Sequence, residues 1–214
     1  MDKKQQLNRI KELGLLAVIR GPSEELTLKT VDALVKGGVL GIEITFSTPN
    51  AYSVVEQLDK KYGNEIVLGM GTLTKAEQVQ KAAENGAQFL VSPMYEEDLC
   101  TEMVKSGLLN MVGSFTPTEI FHSYSMGVDV IKIFPGSLGG PSYIKALRGP
   151  FPDIPFMPTG GVSAENAADW FQAGAIAVGA GSNLCPKDLV LNEEFEEITR
   201  ISKEFVAVIN RVKI

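Results

Sequence analysis

One histidine and two cysteines are all that this chain of 214 residues offers to metal or thiol chemistry. A zinc or iron centre built on several imidazoles is therefore excluded, and a serine triad would have to recruit that one histidine. Its setting, Glu119-Ile-Phe-His-Ser-Tyr124, reads as an amphipathic helix away from strand ends, so His122 is given a surface or helix-packing role. Cys100 and Cys185 are too few for a disulfide framework and carry no local motif. They read as small apolar side chains in a reducing compartment, with no metal site and no thiol nucleophile.

Long apolar runs are missing as well, which argues against a membrane span. No apolar segment follows the opening Met1-Asp-Lys-Lys-Gln-Gln6, so no secretory signal is evident and a cytoplasmic location is expected. Nor is there a basic block. The 20 Lys and Arg are scattered against 26 Asp and Glu, a formal charge of −6, and nucleic acid is a poor partner for such a surface. With 44% hydrophobic residues the chain has the means to bury a substantial core.

What is present has a rhythm. Short apolar, β-rich runs occur at residues 15–20, 41–46, 66–72, 89–93, 109–114, 130–135, 155–161 and 175–182. Helix-like stretches separate them. Thr48-Pro49, Ser92-Pro93 and Thr116-Pro117 each place a hydroxyl before a proline suited to a first helical turn, and Thr74…Glu77 and Thr116…Glu119 fit the capping box. Glycines at 37–38, 86, 107 and 174 mark helix ends.

Eight βα units without a linker predict a parallel sheet in one domain, residues 1–214. An open doubly wound sheet would favour Gly-x-Gly-x-x-Gly after its first strand, but that run ends Val18-Ile-Arg-Gly-Pro22. The fold class is therefore α/β, a compact (β/α)₈ TIM barrel with an extra N-terminal helix from Asp2 to Leu13 over its N-terminal face. The stretch 195–212 supplies the eighth outer helix.

In such a barrel the active site gathers at the C-terminal ends of the strands. The residues there are Arg20, Glu43, Thr45, Thr72, Pro93, Ser114, Lys132, Thr159, Gly160, Gly161, Gly181 and Ser182. Lys132 stands out because it interrupts the apolar run Gly127-Val-Asp-Val-Ile-Lys-Ile-Phe-Pro-Gly136. Burial disfavours an ammonium, and a neutral amine attacks carbonyl carbon, so the placement suggests Schiff-base chemistry; a snorkelling or ion-paired lysine is the plainer alternative. Strand alternation puts Glu43 with Thr45 on one face and Lys132 with Val130 and Phe134 on one face. If both faces point inward, Glu43 and Lys132 form either a structural ion pair or an acid/base and nucleophile pair, and the clustering of buried titratable groups favours catalysis. Glycine pairs at two consecutive strand ends, in Pro158-Thr-Gly-Gly-Val162 and Val178-Gly-Ala-Gly-Ser182, suit a phosphate or similar anion.

Gly41-Ile-Glu-Ile-Thr45, the lysine segment and Pro158-Thr-Gly-Gly161 resemble the signature segments of the KDPG/KHG aldolase family, as do Gly69-Met-Gly-Thr72, Val91-Ser-Pro93 and Thr116-Pro-Thr-Glu119. The resemblance runs in matching order over essentially the whole chain. It implies a class I aldolase that cleaves 2-keto-3-deoxy-6-phosphogluconate to pyruvate and glyceraldehyde 3-phosphate, or 4-hydroxy-2-oxoglutarate to pyruvate and glyoxylate, without metal or organic cofactor. It further implies Lys132 as the imine-forming residue and Glu43 as the proton shuttle. Thr72 would bind the pyruvate portion and Pro93 shape the pocket. Phe134 and Thr45 would line the substrate site, with Thr159, Gly160, Gly161, Gly181 and Ser182 around the phosphate. A homotrimer is the implied assembly.

The chain departs from the family where many members carry an arginine for the substrate carboxylate, two residues after the threonine of Glu-x-Thr. Ser47 stands there, and a hydroxyl does not replace a bidentate cation. Arg20 is the candidate to supply that charge. Two other readings remain open at this level: a phosphosugar isomerase or epimerase using Glu43 as base, and a sugar-phosphate-binding protein without catalysis.

Overall fold

In the computed structural model, which describes residues 2–212, the apolar runs become eight strands. They are β1 (Leu15–Ile19), β2 (Gly41–Thr45), β3 (Val67–Gly71), β4 (Phe89–Val91), β5 (Leu109–Ser114), β6 (Val130–Ile133), β7 (Phe156–Pro158) and β8 (Val178–Ala180). The sheet order is β7-β6-β5-β4-β3-β2-β1-β8, with every ladder parallel. Its two ends meet. Thr159 bridges Gly179 in parallel, and the Ile176 amide donates to the Phe156 carbonyl at 2.9 Å, closing a (β/α)₈ barrel.

Side-chain alternation sorts the strands into two cores. Outward residues such as Ala17, Ile42, Ile44, Leu68, Met70 and Ile131 pack under the helices. Inward residues Leu16, Val67, Phe89, Leu109, Met111, Val130 and Met157 form a separate cluster inside the ring. Gly69 makes the inner packing possible, since a Cβ there would lie 2.4 Å from the Phe89 ring.

The helix α1 (Lys3–Leu13) carries the capping box of Asp2 and Gln5 at its start and a left-handed Gly14 at its end. It buries Ile10 completely against the inner cluster, so it closes the N-terminal end of the barrel as expected. The outer helices are α2 (Glu24–Lys36), α3 (Ala51–Tyr62), α4 (Glu77–Glu84), α5 (Glu97–Lys105), α6 (Pro117–Ser125), α7 (Gly136–Leu147, broken at Gly140) and α8 (Ala167–Gln172). After β8 a short α9 (Lys187–Leu191) precedes α10 (Phe195–Val212), which buries Ile198, Ser202, Phe205 and Ile209 along one stripe. Among the described residues, no helix is long and apolar enough to cross a membrane.

Three of the expected helix starts lie elsewhere, each because the polar group has another partner. Thr48 accepts from the Gly21 amide, and α3 begins after Asn50. Ser92 bonds the Met94 carbonyl, and α5 is capped by Glu96. In place of a Thr74 box, the Gln78 side chain accepts from the Thr74 and Lys75 amides. Thr116 and Glu119 do form the expected capping box, and the amides of Thr116 and Phe115 hold the Glu119 carboxyl below its usual range.

Candidate active site

Glu43 on β2 and Lys132 on β6 are separated by three intervening strands, so they can meet only across the inside of the ring. They do meet: Lys132 Nζ lies 3.5 Å from Glu43 Oε1, with the two side chains 5% and 0% exposed. Neither oxygen of Glu43 accepts a hydrogen bond among the described residues. A carboxylate so buried, with one ionic contact and unused lone pairs, is costly to hold, and such groups collect where chemistry is done. The space for it is cut by Gly71, where a Cβ would fall 1.9 Å from Glu43 Oε1. Gly113, in register with Lys132, lets the backbone of Pro93 approach to 2.2 Å of where its Cβ would be. Pro93 is thereby brought against the lysine's own layer.

Above the pair stands Phe134, its ring centroid 5.4 Å from Lys132 Nζ. Phe134 also forms part of the wall of a cavity of about 410 Å³ at the C-terminal end of the barrel. Thr159, Gly160 and Gly161 after β7 line it, and so do Gly181 and Ser182 after β8 and Arg20 after β1. Gly160 and Gly161 turn consecutively at φ 94° and 77°, a path side chains of L-residues rarely follow. The amides of Gly160, Gly161 and Ser182 donate to no backbone carbonyl among the described residues. Thr159 Oγ1 is buried without a partner in the same wall. The resulting concavity offers hydrogen-bond donors to an anion.

The β1 and β2 ends are tied by hydroxyls. Thr45 donates to the Ile19 carbonyl at 3.0 Å and lies 3.0 Å from Ser47 Oγ, which accepts from Arg20 Nη1 at 2.5 Å. The guanidinium is thus brought from the end of β1 to Ser47, just past the end of β2. Thr72 follows β3 directly, half-buried at φ 58°, an uncommon conformation for a β-branched residue. Ser114 is not part of the site: it faces outward and bonds Ser123 of α6 at 3.0 Å. His122 is exposed on α6, stacked on Tyr95, as expected.

Sequence reasoning missed the β1 residues and turn at 18–19 and 21–22 that also line the cavity, and with them Thr30, Cys185, Lys187 and Val190. The last three belong to the segment between β8 and α10, where the apolar periodicity is weak. The signal that could have found them is the habit of barrels to add a short helix at the phosphate end, which here is α9. Burial pushes the Cys185 thiol up to about 12 and that of Cys100 to about 11, so both remain protonated near neutrality. Among the described residues, no group of three or more His, Cys, Asp or Glu is placed to hold a metal ion.

Comparison with known proteins gives the same pattern of kinship over nearly the whole barrel. The KDPG and KHG aldolase family model matches residues 7–201. The chain is 36% identical to the 2-dehydro-3-deoxy-6-phosphogalactonate aldolase of Escherichia coli K12 over 174 residues, 81% of this chain and 85% of that protein. It is 32% identical to a 2-dehydro-3-deoxy-phosphogluconate aldolase of Pseudomonas aeruginosa, covering 91% of this chain and 88% of the relative. A crystal structure of the KDPG aldolase from Legionella pneumophila, with pyruvate captured as a covalent carbinolamine, superposes with a TM-score of 0.86 at 28% identity, covering 93% and 97% of the two chains. Signature segments, closed barrel and matched length therefore agree, and the chain belongs to the KDPG and KHG aldolase family.

Proposed function

We propose that this protein cleaves a phosphorylated 2-keto-3-deoxy acid, 2-keto-3-deoxy-6-phosphogluconate, to pyruvate and glyceraldehyde 3-phosphate through an imine on Lys132. The observation that carries this reading is the buried Lys132–Glu43 pair at 3.5 Å, with Phe134 standing both over the lysine and in the wall of the glycine-lined cavity. Lys132 must shed a proton to act, and Glu43 is the carboxylate in reach to receive it. The amine adds to the C2 carbonyl, and the carbinolamine loses water to give an iminium, with Glu43 supplying the proton that water needs. Glu43 then takes the proton of the C4 hydroxyl. The C3–C4 pair of electrons flows into the iminium as the aldehyde departs, leaving the enamine of pyruvate; protonation at C3 and hydrolysis release pyruvate and the free amine.

The remaining residues divide the substrate between its two anionic ends. Arg20, pinned on Ser47, serves the carboxylate with Thr72, while Thr159, Gly160, Gly161, Gly181 and Ser182 hold the phosphate. Thr45 sets the carboxylate end through its bonds to Ile19 and Ser47, Pro93 shapes the floor, and Phe134 roofs the lysine. The cavity of about 410 Å³, which Phe134 joins to the lysine, gives the phosphate end its room. The same residues would turn over 4-hydroxy-2-oxoglutarate, which leaves the phosphate end unused. The kinship with a phosphogalactonate aldolase favours a second substrate, the epimeric galactonate-derived acid. We also propose a cytoplasmic homotrimer, supported by the family resemblance and by Phe121 and Tyr124, large apolar side chains exposed one turn apart on α6.

Borohydride reduction in the presence of pyruvate, followed by intact-mass measurement and peptide mapping, tests the mechanism. A stable adduct on Lys132 is expected. Its absence would leave an isomerase, or a binding protein with the same pocket, as the surviving description. Cleavage rates on the gluconate-derived, galactonate-derived and unphosphorylated acids then decide the substrate.

A further inference from the structure

Two cations and no carboxylate line the cavity, in a chain whose net charge is −6. The two are Arg20 and Lys187. Arg20 is already bonded to Ser47 at the β1–β2 side. Lys187 opens α9 and shares the cavity wall with Gly161, Gly181 and Ser182. It is exposed and makes no ion pair among the described residues. Its position does nothing for the helix it starts, because a cation in a first turn opposes the backbone dipole. Thr159, 5% exposed and with an unpartnered hydroxyl lying over Gly179, lines the same cavity. A lysine that is unfavourable to its helix and unpaired beside exposed amide donors is accounted for if an anion completes the set.

We propose that Lys187 is a specificity residue, pairing with the substrate's distal phosphate and giving this site its preference for phosphorylated over unphosphorylated ketoacids. The proposal rests on the aldolase reading for its substrate. Its physical content, a cation for a phosphate dianion beside glycine turns, stands on the cavity alone. A lysine suits this role as a compact point charge on a flexible stem, able to reach a phosphate oxygen without a fixed fork geometry.

The test uses the full chain as wild type, Lys187→Ala and Lys187→Arg. The ratio of kcat/KM for the phosphorylated acid to that for 4-hydroxy-2-oxoglutarate should fall about tenfold in Lys187→Ala, through KM, and recover in Lys187→Arg. Inorganic phosphate, titrated calorimetrically, should bind about tenfold more weakly to Lys187→Ala, and added salt should narrow the gap. A selectivity ratio and phosphate affinity equal to wild type in Lys187→Ala would overturn the proposal, as would equal losses on both substrates. Failure of the aldolase reading shows separately, as a missing pyruvate adduct on wild-type Lys132; the phosphate titration still decides Lys187 in that event.

Discussion

Lys132 and Glu43 face each other at 3.5 Å although 88 intervening positions separate them in the chain, because β2 and β6 present them to the same layer of a closed ring. Removing the amine leaves a buried carboxylate without its counter-ion. Lys132→Met should therefore lose about 3–5 kcal/mol in urea unfolding, and at least about 10⁴-fold in cleavage rate. The double variant Lys132→Met/Glu43→Leu should regain most of that stability while activity stays lost. If the single variant unfolds like wild type, the two groups are not coupled in the way the geometry requires.

The carboxylate's room is made by a missing side chain. A methyl at Gly71 would sit 1.9 Å from Glu43 Oε1, so Gly71→Ala must push the carboxylate away from the lysine or bend β3. A displacement of about 1 Å at a reacting group costs on the order of 10²-fold in rate. Turnover on the phosphorylated acid should fall by that order, with KM changing little. A variant with wild-type kcat would show that Glu43 does not work from the position described.

Arg20 reaches Ser47, just past the end of β2, through a 2.5 Å hydrogen bond. Arg20→Ala should raise KM for the ketoacid about tenfold or more, since a charge-assisted contact to the carboxylate is removed. Adding Ser47→Arg to that variant should restore binding by supplying the cation from β2. Unchanged kinetics in Arg20→Ala would assign the carboxylate to another group.

The barrel was legible because its signal is repeated. Inward and outward residues alternate along β2, β3 and β5, and the eight runs lie where eight strands form. Lys132 and Glu43 were legible for a related reason: a charge inside an apolar run has few places to go. Helix starts were less so, since a hydroxyl before proline is only a potential cap. Thr48 and Ser92 spend theirs on Gly21 and Met94, partners set by the β1–β2 and β4–β5 ends and invisible in a local window. Lys187 was hidden because α9 is five residues long, too short to show a helical period. Ser114 was misplaced by one residue of phase, as the inward position on β5 belongs to Gly113.

Thr72 carries the last prediction, because its backbone and its side chain pull in opposite directions. At φ 58° a β-branched residue is strained, by about 1 kcal/mol or more, and glycine would take the same conformation freely. Thr72→Gly should therefore be at least as stable as wild type, with the melting temperature rising by about 2–4 °C per kcal/mol released. The relief is offset in part because glycine also gains freedom in the unfolded chain. If the threonine is kept for its hydroxyl at the pyruvate end, the same variant must bind pyruvate more weakly, read as slower adduct formation on Lys132 at limiting pyruvate. Stability and function would then move apart at one residue. A variant that loses stability and keeps its pyruvate affinity would mean that the left-handed turn is held for packing alone.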